Sequence, residues 1–276
     1  MNYEKAKTLF AEHFKRRFGV QAKTFKQMLK VLKPQWRPLP QPGAKPKLGI
    51  EDRILLTLEY WREYRTYFHI GSSWGVSEST VCRIVHWVEA TLMQSGRFRL
   101  PGKKQLFQGF GTLKVIVIDV TETPIERPKR RQRQFYSGKK KEHTLKCQLI
   151  IDRVSGQIIY TFFGKGRRHD FQVFKASGVH VYPEIQSLQD KGYQGIQVLH
   201  SNSCLPHKKP KGGELSVEEK AYNRALSKER IVIAHVNRRL KIFRILAGRY
   251  RNRRRRFELR CNLIAALYNY ERSKAL

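Results

Sequence analysis

Residues 113–120, with the sequence LKVIVIDV, constrain the fold more than any other segment of the chain. An unbroken run of apolar and β-branched residues is typical of a strand that is buried on both faces. Two more strand-like segments lie within residues 143–164 and are joined by a turn at residues 154–157. A helix predicted over residues 170–178 and a short strand that ends at Asp190 complete an α/β pattern with a mixed sheet.

A long helix is predicted to follow the sheet, from a capping box at residues 216–219 to about Leu246. The region before the sheet is also predicted to be helical. Residues 1–33 are expected to form two short helices, with apolar side chains at helical spacing. These side chains are Phe10, Phe14, Phe25, Leu29 and Leu32.

Residues 50–94 have the pattern of a helix-turn-helix. An amphipathic helix over residues 50–64 is followed by a short helix over residues 66–74 and a tight connection at Gly75. Ser77 is placed to cap a third helix. Helix, short helix, glycine-containing turn and capped helix predict a helix-turn-helix, although a three-helix packing module has the same pattern. The residues expected to face the major groove are Ser77, Ser79, Thr80 and Arg83.

The charge of the chain favours nucleic acid as the partner. The chain has 56 Lys+Arg against 22 Asp+Glu, a formal net charge of +34, and the basic residues occur along its whole length. Such a field attracts polyanions and releases counterions when they bind. Charge alone also fits a ribosomal or membrane-surface protein.

The composition excludes several other classes. With 40% hydrophobic residues the chain can form a core, which a disordered basic protein cannot. No apolar run approaches the roughly 18 residues of a membrane span, and the first residues lack the apolar run of a secretory signal. The four cysteines are far apart in sequence and form no C-x-x-C pair, which predicts reduced thiols in the cytoplasm and neither a zinc site nor disulfides.

Two polar segments divide the chain. The first contains five prolines between Pro34 and Pro46, a density that prevents helix formation and favours a stiff connector. The predicted organisation is a helical segment at 1–33, a linker at 34–49, a helix-turn-helix domain at 50–97, a linker at 98–112 and an α/β domain at 113–276.

Two aspartates are candidates for a metal site. Asp119 lies deep in the apolar strand, where a carboxylate is costly unless it meets a cation or a hydrogen-bond partner. Asp190 lies at another strand end, just before a glycine-punctuated turn. Aspartates at the ends of neighbouring strands can share Mg²⁺, which prefers carboxylate oxygens, and two-metal nucleases use this arrangement. A loop cap or a surface position is the alternative for each aspartate taken alone.

Four long blocks of the sequence, in one order, resemble DDE transposases. They are IDVTETPIERPKRRQRQFYSGKKKEHTLKCQ, GRRHDFQVFK, QDKGYQG and NRALSKERIVIAHVNRRLKIFRILAGRYRNRRRRF. The resemblance is to bacterial insertion sequences of the insertion-sequence-five group, which are related to Harbinger-type transposases, and it covers roughly residues 50–270.

This resemblance implies an all-α helix-turn-helix domain followed by an α/β RNase H-like nuclease domain, a mixed sheet with helices. It implies cleavage and strand transfer of double-stranded DNA with two Mg²⁺ ions, for which Mn²⁺ is a substitute. The implied partners are terminal inverted repeats, target DNA and further copies of the chain, as a homodimer or larger assembly in the synaptic complex. The implied location is the nucleoid in the bacterial cytoplasm.

The resemblance also makes Asp119 and Asp190 the first two acids of the catalytic triad. The family pattern around the third acid is an arginine, three residues, a glutamate, six residues and a lysine. Arg230 and Lys241 match the flanks, but Ala234 stands where the glutamate belongs. Glu229 lies five residues earlier, so that it points about 140° away around a helix and is not expected to replace the glutamate.

Two functions follow from this alanine: a transposase with impaired catalysis, or a non-enzymatic DNA-binding protein derived from a transposase. Two origins also fit, a decayed natural copy or a deliberate inactivating substitution, and we favour the second.

Basic segments with interleaved aromatics follow the first catalytic strand. Phe135 and Tyr136 lie among lysines and arginines, a pattern that suits a phosphate backbone and an unpaired base, or a solvated hairpin. His169 and Asp170 fit either an auxiliary metal or phosphate contact or a helix cap. The predicted DNA contacts outside the helix-turn-helix are Lys129, Arg130, Arg131, Arg133, Lys139, Lys140, Arg230, Lys241, Arg253 and Arg254.

Overall fold

The computed structural model describes residues 2–36, 46–107 and 113–273. The chain divides into two compact units, each assembled from separate segments of sequence. The helical unit comprises Met1–Arg99, Leu240–Gly248 and Arg256–Leu276. The second unit comprises Leu100–Arg239 and Arg249–Arg255 and is called the nuclease unit, after the domain that the resemblance implies. Among the described residues, no helix has the length and apolar character required to cross a membrane.

The secondary structure follows the predicted order of helices and then a sheet with helices. The α-helices are α1 (Tyr3–Ala6), α2 (Ala11–Phe18), α3 (Ala22–Leu32), α4 (Ile50–Glu63), α5 (Tyr67–Trp74), α6 (Glu78–Gln94), α7 (Lys104–Phe107), α8 (Asp170–Ser177), α9 (Val217–Lys241), α10 (Arg244–Ala247) and α11 (Phe257–Arg272). The strands are β1 (Val115–Pro124), β2 (Tyr136–Ser137), β3 (Glu142–Asp152), β4 (Ile158–Lys165), β5 (Gln186–Leu188) and β6 (Ser203–Cys204).

The region predicted as two N-terminal helices contains three, because a single turn, α1, precedes α2 and α3. Gly19 ends α2 in the left-handed conformation, at a φ of 79°. The rings of Phe14, Phe18 and Phe25 pack together in the core of the helical unit, whereas Phe10 is 78% exposed. The prediction for Phe10 is wrong because this residue precedes the first turn of α2 and does not share its buried face.

Helices α4, α5 and α6 form the predicted helix-turn-helix. The Thr66 hydroxyl accepts a hydrogen bond from the His69 backbone and caps α5, and Gly75 ends α5 at a φ of 67°. Ser77 caps α6 by accepting from the Thr80 backbone, as predicted. Two helices from the distant end of the sequence complete the unit, since α10 packs on α4 and α11 packs on α6 and α3.

A fully buried carboxylate, Glu89 on α6, joins three helices of the helical unit. Its two oxygens accept hydrogen bonds from Arg256 Nε and Arg260 Nε, each at 2.6 Å, and from Trp61 Nε1 at 3.0 Å. Paired and hydrogen-bonded in this way, the buried charge is compensated within the fold.

The sheet of the nuclease unit is mixed and has the order β2-β3-β1-β5-β6, with β4 also paired to β3. Strand β3 is antiparallel to β1 and β4, whereas β5 is parallel to both β1 and β6. The predicted turn at residues 154–157 is present, with Gly156 at a φ of 63°. This is the predicted architecture, a mixed sheet with helices.

Two segments of the nuclease unit differ from the prediction. The long C-terminal helix begins at the predicted capping box, where the backbones and side chains of Ser216 and Glu219 exchange hydrogen bonds. It ends at Lys241 instead of near Leu246, and α10 follows as a separate turn. The segment predicted as the second linker contains α7, whose Leu106 side chain is fully buried. Residues 37–45 of the first predicted linker and 108–112 of the second lie outside the described residues.

One face of the sheet carries the core of the nuclease unit. Ile116 and Ile118 of β1 belong to this core with Ile150 of β3 and Phe174 of α8. Because side chains alternate along a strand, Asp119 projects from the opposite face. The alternation therefore places this carboxylate outside the apolar cluster.

Candidate active site and nucleic-acid interface

The parallel pairing of β1 and β5 brings the two predicted catalytic aspartates together. Val117 lies opposite Leu188 in the register. Asp119 and Asp190 each lie two residues further along, and residues two apart share a face of the sheet. Asp190 has extended backbone, with φ −91° and ψ −180°, and its carboxylate accepts a hydrogen bond from the Gly192 backbone at 2.8 Å. Continuing the register beyond the end of β5 therefore places the two carboxylates on the same face, with Asp119 in the middle of β1 and Asp190 two residues after β5.

The charge on Asp119 is poorly stabilised. Burial and the neighbouring charge of Asp190 raise the pKa of the Asp119 carboxyl from its ordinary value of 3.8 to about 6, and the charge of Asp170 acts in the same direction. The Arg230 guanidinium opposes this rise. The three carboxylates of Asp119, Asp190 and Asp170 thus influence one another electrostatically.

Helix α9 supplies two polar contacts to Asp119. The Asn237 amide donates a hydrogen bond to Asp119 Oδ2 at 3.3 Å, and Arg230 Nη2 lies 4.0 Å from Asp119 Oδ1. These residues are seven apart and therefore share one face of the helix. Ala234 lies between them on this face and is exposed. Glu229, by contrast, forms an ion pair with Arg153.

Arg230 differs in placement from the other basic residues predicted to contact DNA. It is half-buried, and its guanidinium faces a carboxylate. Lys241, at the end of α9, is exposed.

Asp170 is the first residue of α8, and His169 precedes it without forming a side-chain cap. Asp170 Oδ1 accepts a hydrogen bond from Lys146 Nζ at 2.7 Å. The same ammonium group lies 3.7 Å from Glu122 Oε1. The pair thus occupies the N-cap and first turn of α8, as the capping alternative predicts, although His169 forms no side-chain cap hydrogen bond.

Several buried polar atoms around the aspartates lack a hydrogen-bond partner in the described structure. They are the Tyr193 hydroxyl, Arg230 Nε and Asn237 Oδ1. Within residues 2–36, 46–107 and 113–273, no three His, Cys, Asp or Glu side chains are grouped as ligands of a metal ion. The oxygens of Asp119, Asp190 and Asn237 are nevertheless hard donors of the kind that a divalent cation such as Mg²⁺ prefers. This donor chemistry fits the metal that the sequence predicts.

A cleft of about 950 Å³ in the nuclease unit, the basic groove, passes Asp170 and Gly192. Tyr136 and His143 are among its lining residues, with their rings in edge-to-face contact at 5.7 Å. The cations that line the basic groove are Arg127, Arg133, Lys139, Lys146, Arg167 and Arg168. A positively charged cleft with an aromatic side chain is suited to a nucleic-acid strand.

The two aromatic residues of the predicted basic hairpin have different environments. Tyr136 is 44% exposed, whereas Phe135 is buried, with the Arg254 guanidinium over its ring at 4.4 Å. Tyr136 is therefore the ring of this pair that is open to a base. The predicted DNA contacts that are exposed in the nuclease unit are Lys129, Arg130, Arg131, Arg133, Lys139, Lys140, Arg253 and Arg254.

Some of these basic residues hold an unusual backbone conformation. Arg131, Lys141, Arg253 and Arg254 have φ values of 56°, 54°, 47° and 69°. The left-handed region is disfavoured for residues with a Cβ, and strain of this kind concentrates at functional segments.

In the helical unit, the predicted DNA-reading residues lie at the start of α6. Ser77, Ser79 and Arg83 are exposed and Thr80 is half-buried. The Ser77 hydroxyl lies 3.0 Å from Ser79 Oγ and 2.9 Å from Thr80 Oγ1, and Arg83 contacts Thr80 Oγ1 at 3.4 Å. The four side chains thus form one polar patch at the helix start.

Sequence reasoning missed Asn237, Tyr193 and Lys146. The seven-residue spacing of Arg230 and Asn237 is a signal that was available for the first. For Lys146, which is 6% exposed, the signal was its position between apolar neighbours in a predicted buried strand. Tyr193 gave no signal, because an aromatic residue in a turn is ordinary.

A helix-turn-helix together with two aspartates brought together by neighbouring parallel strands is typical of a class of protein, the DDE endonucleases, which cut DNA. Residues 118–269 match the family described as DDE superfamily endonuclease, and residues 46–98 match the helix-turn-helix of DDE superfamily endonuclease. The chain belongs to this family, as a DDE transposase of an insertion sequence. Its sequence is 55% identical over 271 residues to a probable transposase for insertion sequence element IS702 from Microchaete diplosiphon, covering 98% of each chain. No solved structure matches the chain.

These matches confirm the predicted family and the predicted fold class, a helix-turn-helix domain followed by an RNase H-like endonuclease domain. They also support DNA binding and a metal-dependent nuclease at the level of the family.

Proposed function

We propose that this chain is an insertion-sequence transposase that binds the terminal inverted repeats of its element but cleaves them poorly. The observation that carries the proposal is the position of Ala234. It lies on the face of α9 between Arg230 and Asn237, both of which reach Asp119. A glutamate at this position would place its carboxylate near the paired aspartates. Alanine has no carboxylate to contribute.

Asp119 and Asp190 are the residues that would hold Mg²⁺, or Mn²⁺ in its place. In two-metal nucleases the ions activate water and stabilise the leaving oxygen, and such sites need enough anionic oxygen to hold both ions. Arg230 limits the repulsion between the aspartates, and Asn237 orients the Asp119 carboxylate through its amide. Loss of one carboxylate weakens the site without removing either aspartate.

The reaction proposed for the family site is hydrolysis followed by transesterification. The water oxygen forms a bond to phosphorus, the bond from phosphorus to the 3′ oxygen breaks, and that oxygen takes up a proton. The freed 3′ hydroxyl then attacks a phosphorus of the target DNA, whose own 3′ oxygen leaves. Because strand transfer joins two element ends to one target, we propose a homodimer or larger assembly for this stage.

DNA binding is proposed to remain intact in this chain. The patch at Ser77, Ser79, Thr80 and Arg83 would read the repeat, and the basic residues of the nuclease unit would bind its phosphates. The net charge of +34 supports extensive phosphate contact. Each neutralised phosphate steepens the log–log dependence of affinity on salt by about 0.9, so binding should weaken steeply as salt rises.

The test is a nicking assay on a labelled duplex from the end of the element that encodes the chain, with Mg²⁺. Ala234→Glu should increase nicking at least tenfold, and Ala234→Gln, with the same length but no charge, should not. Affinity for the duplex without metal should be the same in all three proteins. Equal nicking by the unmodified chain and Ala234→Glu would show that position 234 does not limit catalysis.

A second function, a non-enzymatic DNA-binding protein, is favoured by the same alanine. It predicts that Ala234→Glu also fails to nick while binding stays intact. Glu229→Ala in the Ala234→Glu background tests whether nicking depends on Glu229 or on the glutamate introduced at position 234. Nicking should persist, because Glu229 is engaged with Arg153.

A further inference from the structure

Gly192 occupies the space between two carboxylates of the nuclease unit. A Cβ at this position would lie 3.0 Å from Asp190 Oδ1 and 3.2 Å from Asp170 Oδ2. Gly192 is not among the glycines with positive φ, so its backbone conformation is open to any residue. The absence of a side chain, and not the backbone, is therefore what keeps the gap between the carboxylates open.

Of the two carboxylates, only Asp170 has its other interaction outside this gap, because Asp190 is hydrogen-bonded to Gly192 itself. Asp170 Oδ1 accepts from Lys146 Nζ at 2.7 Å, while its second oxygen, Oδ2, faces Gly192. Asp190 Oδ1 accepts from the Gly192 backbone at 2.8 Å. Two like charges that face one small space repel each other unless a cation lies between or beside them.

A buried hydroxyl without a hydrogen-bond partner lies three residues after Asp190 in the sequence. Tyr193 is fully buried, and its hydroxyl has no hydrogen-bond partner in the described residues. Burial raises the pKa of Tyr193, and the charges of Asp119, Asp170 and Asp190 each raise it further. The hydroxyl therefore lies within the field of all three carboxylates, where a hydrated cation could satisfy it.

The charges of the cluster balance with one divalent cation. The acids of the cluster are Asp119, Asp170, Asp190 and Glu122. Glu122 Oε1 lies 3.7 Å from Lys146 Nζ. The cations in contact with these acids are Lys146 and Arg230. Four carboxylates and two cations leave an excess of two negative charges, which one divalent cation neutralises.

We propose that Asp170 is a third acidic ligand, which with Asp119 and Asp190 forms a site for one divalent cation in this chain. The inference rests on the proposed function, since it uses the same two aspartates. Because the described side chains are not grouped as ligands, Asp170 must turn its free oxygen toward the cation as it binds. Such a site would let the chain bind one cation despite the alanine at position 234.

The test measures Mn²⁺ binding to the full chain by electron paramagnetic resonance, without DNA, so that no activity is needed. Asp170→Asn should weaken Mn²⁺ binding at least tenfold. Gly192→Ala keeps every charge and the Lys146–Asp170 pair but fills the gap, and should also weaken binding at least tenfold. Glu184→Gln, which removes an exposed acid of the same unit, should bind like the unmodified chain.

The reference variant Asp119→Asn separates the two proposals. Weak binding in Asp119→Asn with unchanged binding in both Asp170→Asn and Gly192→Ala would overturn the role of Asp170 and leave the proposed function standing. Unchanged binding in Asp119→Asn and Asp190→Asn would overturn the metal site as a whole. Thermal unfolding of each variant identifies any that fail to fold, and Gly192→Ala then decides if Asp170→Asn is one of them.

Discussion

Each unit of the molecule contains a carboxylate in a largely buried position. The surrounding structure compensates the charge of one and leaves the charge of the other poorly compensated. Glu89 of the helical unit is fully buried and receives three hydrogen bonds, all between 2.6 and 3.0 Å. Asp119 of the nuclease unit has partners at 3.3 and 4.0 Å, a pKa raised to about 6, and neighbours with orphaned polar atoms. A buried charge whose partners are in place is costly to break, whereas a buried charge that folding leaves unsatisfied is a candidate site for a ligand.

The largest effect that this contrast predicts is the loss of stability in Glu89→Ala. Removing one partner of a buried ion pair costs about 3–5 kcal/mol, because Arg260 would remain buried without its counter-charge. Urea denaturation monitored by circular dichroism measures the change. Glu12→Ala, an exposed glutamate in the first turn of α2, is the control and should change stability by less than about 0.5 kcal/mol. If Glu89→Ala loses no more folding stability than Glu12→Ala, the buried charge of Glu89 is not important to the fold, and the contrast with Asp119 is wrong.

Asp119→Asn should increase folding stability at neutral pH, whereas Glu89→Ala decreases it. A carboxyl whose pKa is raised from 3.8 to about 6 holds its proton more tightly in the folded state, so folding stability falls as pH rises through this window. Each tenfold change in proton affinity is worth about 1.4 kcal/mol, so the penalty approaches about 3 kcal/mol above pH 6. Asparagine removes the penalty.

Thermal unfolding without metal checks this prediction. Asp119→Asn should unfold at a higher temperature than the unmodified chain at pH 8 and at about the same temperature at pH 4. A lower unfolding temperature at pH 8 would show that the charge on Asp119 is already compensated by its surroundings.

A smaller effect is expected for Asn237→Ala. The change removes a hydrogen bond to Asp119 but also removes an orphaned carbonyl oxygen, so the net loss at pH 8 should be about 1 kcal/mol. Most of this loss should vanish when Asn237→Ala is made in Asp119→Asn, since the two residues act on the same charge. Simple additivity in that double-mutant cycle would contradict the assigned contact.

The smallest effect is expected for Glu229→Gln. Its carboxylate pairs with Arg153, but the two side chains are 47% and 38% exposed. Exposed ion pairs contribute about 0–1 kcal/mol because solvent screens them. Stability and Mn²⁺ affinity should both be nearly unchanged, and tenfold weaker Mn²⁺ binding would bring Glu229 back as a candidate ligand.

Much of the fold could be predicted from the sequence because its signals are local. The apolar run of β1, the cap at Ser77 and the capping box at Ser216 each depend on a few neighbouring residues, and all three are present. The ends of helices and the exposure of single residues were less predictable. Lys241 ends α9 within a sequence that continues to favour helix, and Phe10 faces solvent although its spacing suggested burial.

The site was predictable only in part. The sequence shows Asp119 within an apolar strand and Asp190 after another, but their alignment depends on the pairing of Val117 with Leu188, between segments far apart along the chain. The spacing of Asn237 from Arg230 shows that the two share a helix face, but its contact with Asp119 depends on the packing of α9 against β1. Glu89 was missed for the same reason, since its partners Arg256 and Arg260 lie more than 160 residues away along the chain.

The discontinuous sequence of the helical unit has a genetic consequence. Helices α10 and α11, which complete this unit and supply the partners of Glu89, are encoded after most of the nuclease unit. A premature stop codon in the nuclease region would remove both helices and leave Glu89 without Arg256 and Arg260, so we expect the helical unit of the shortened chain not to fold.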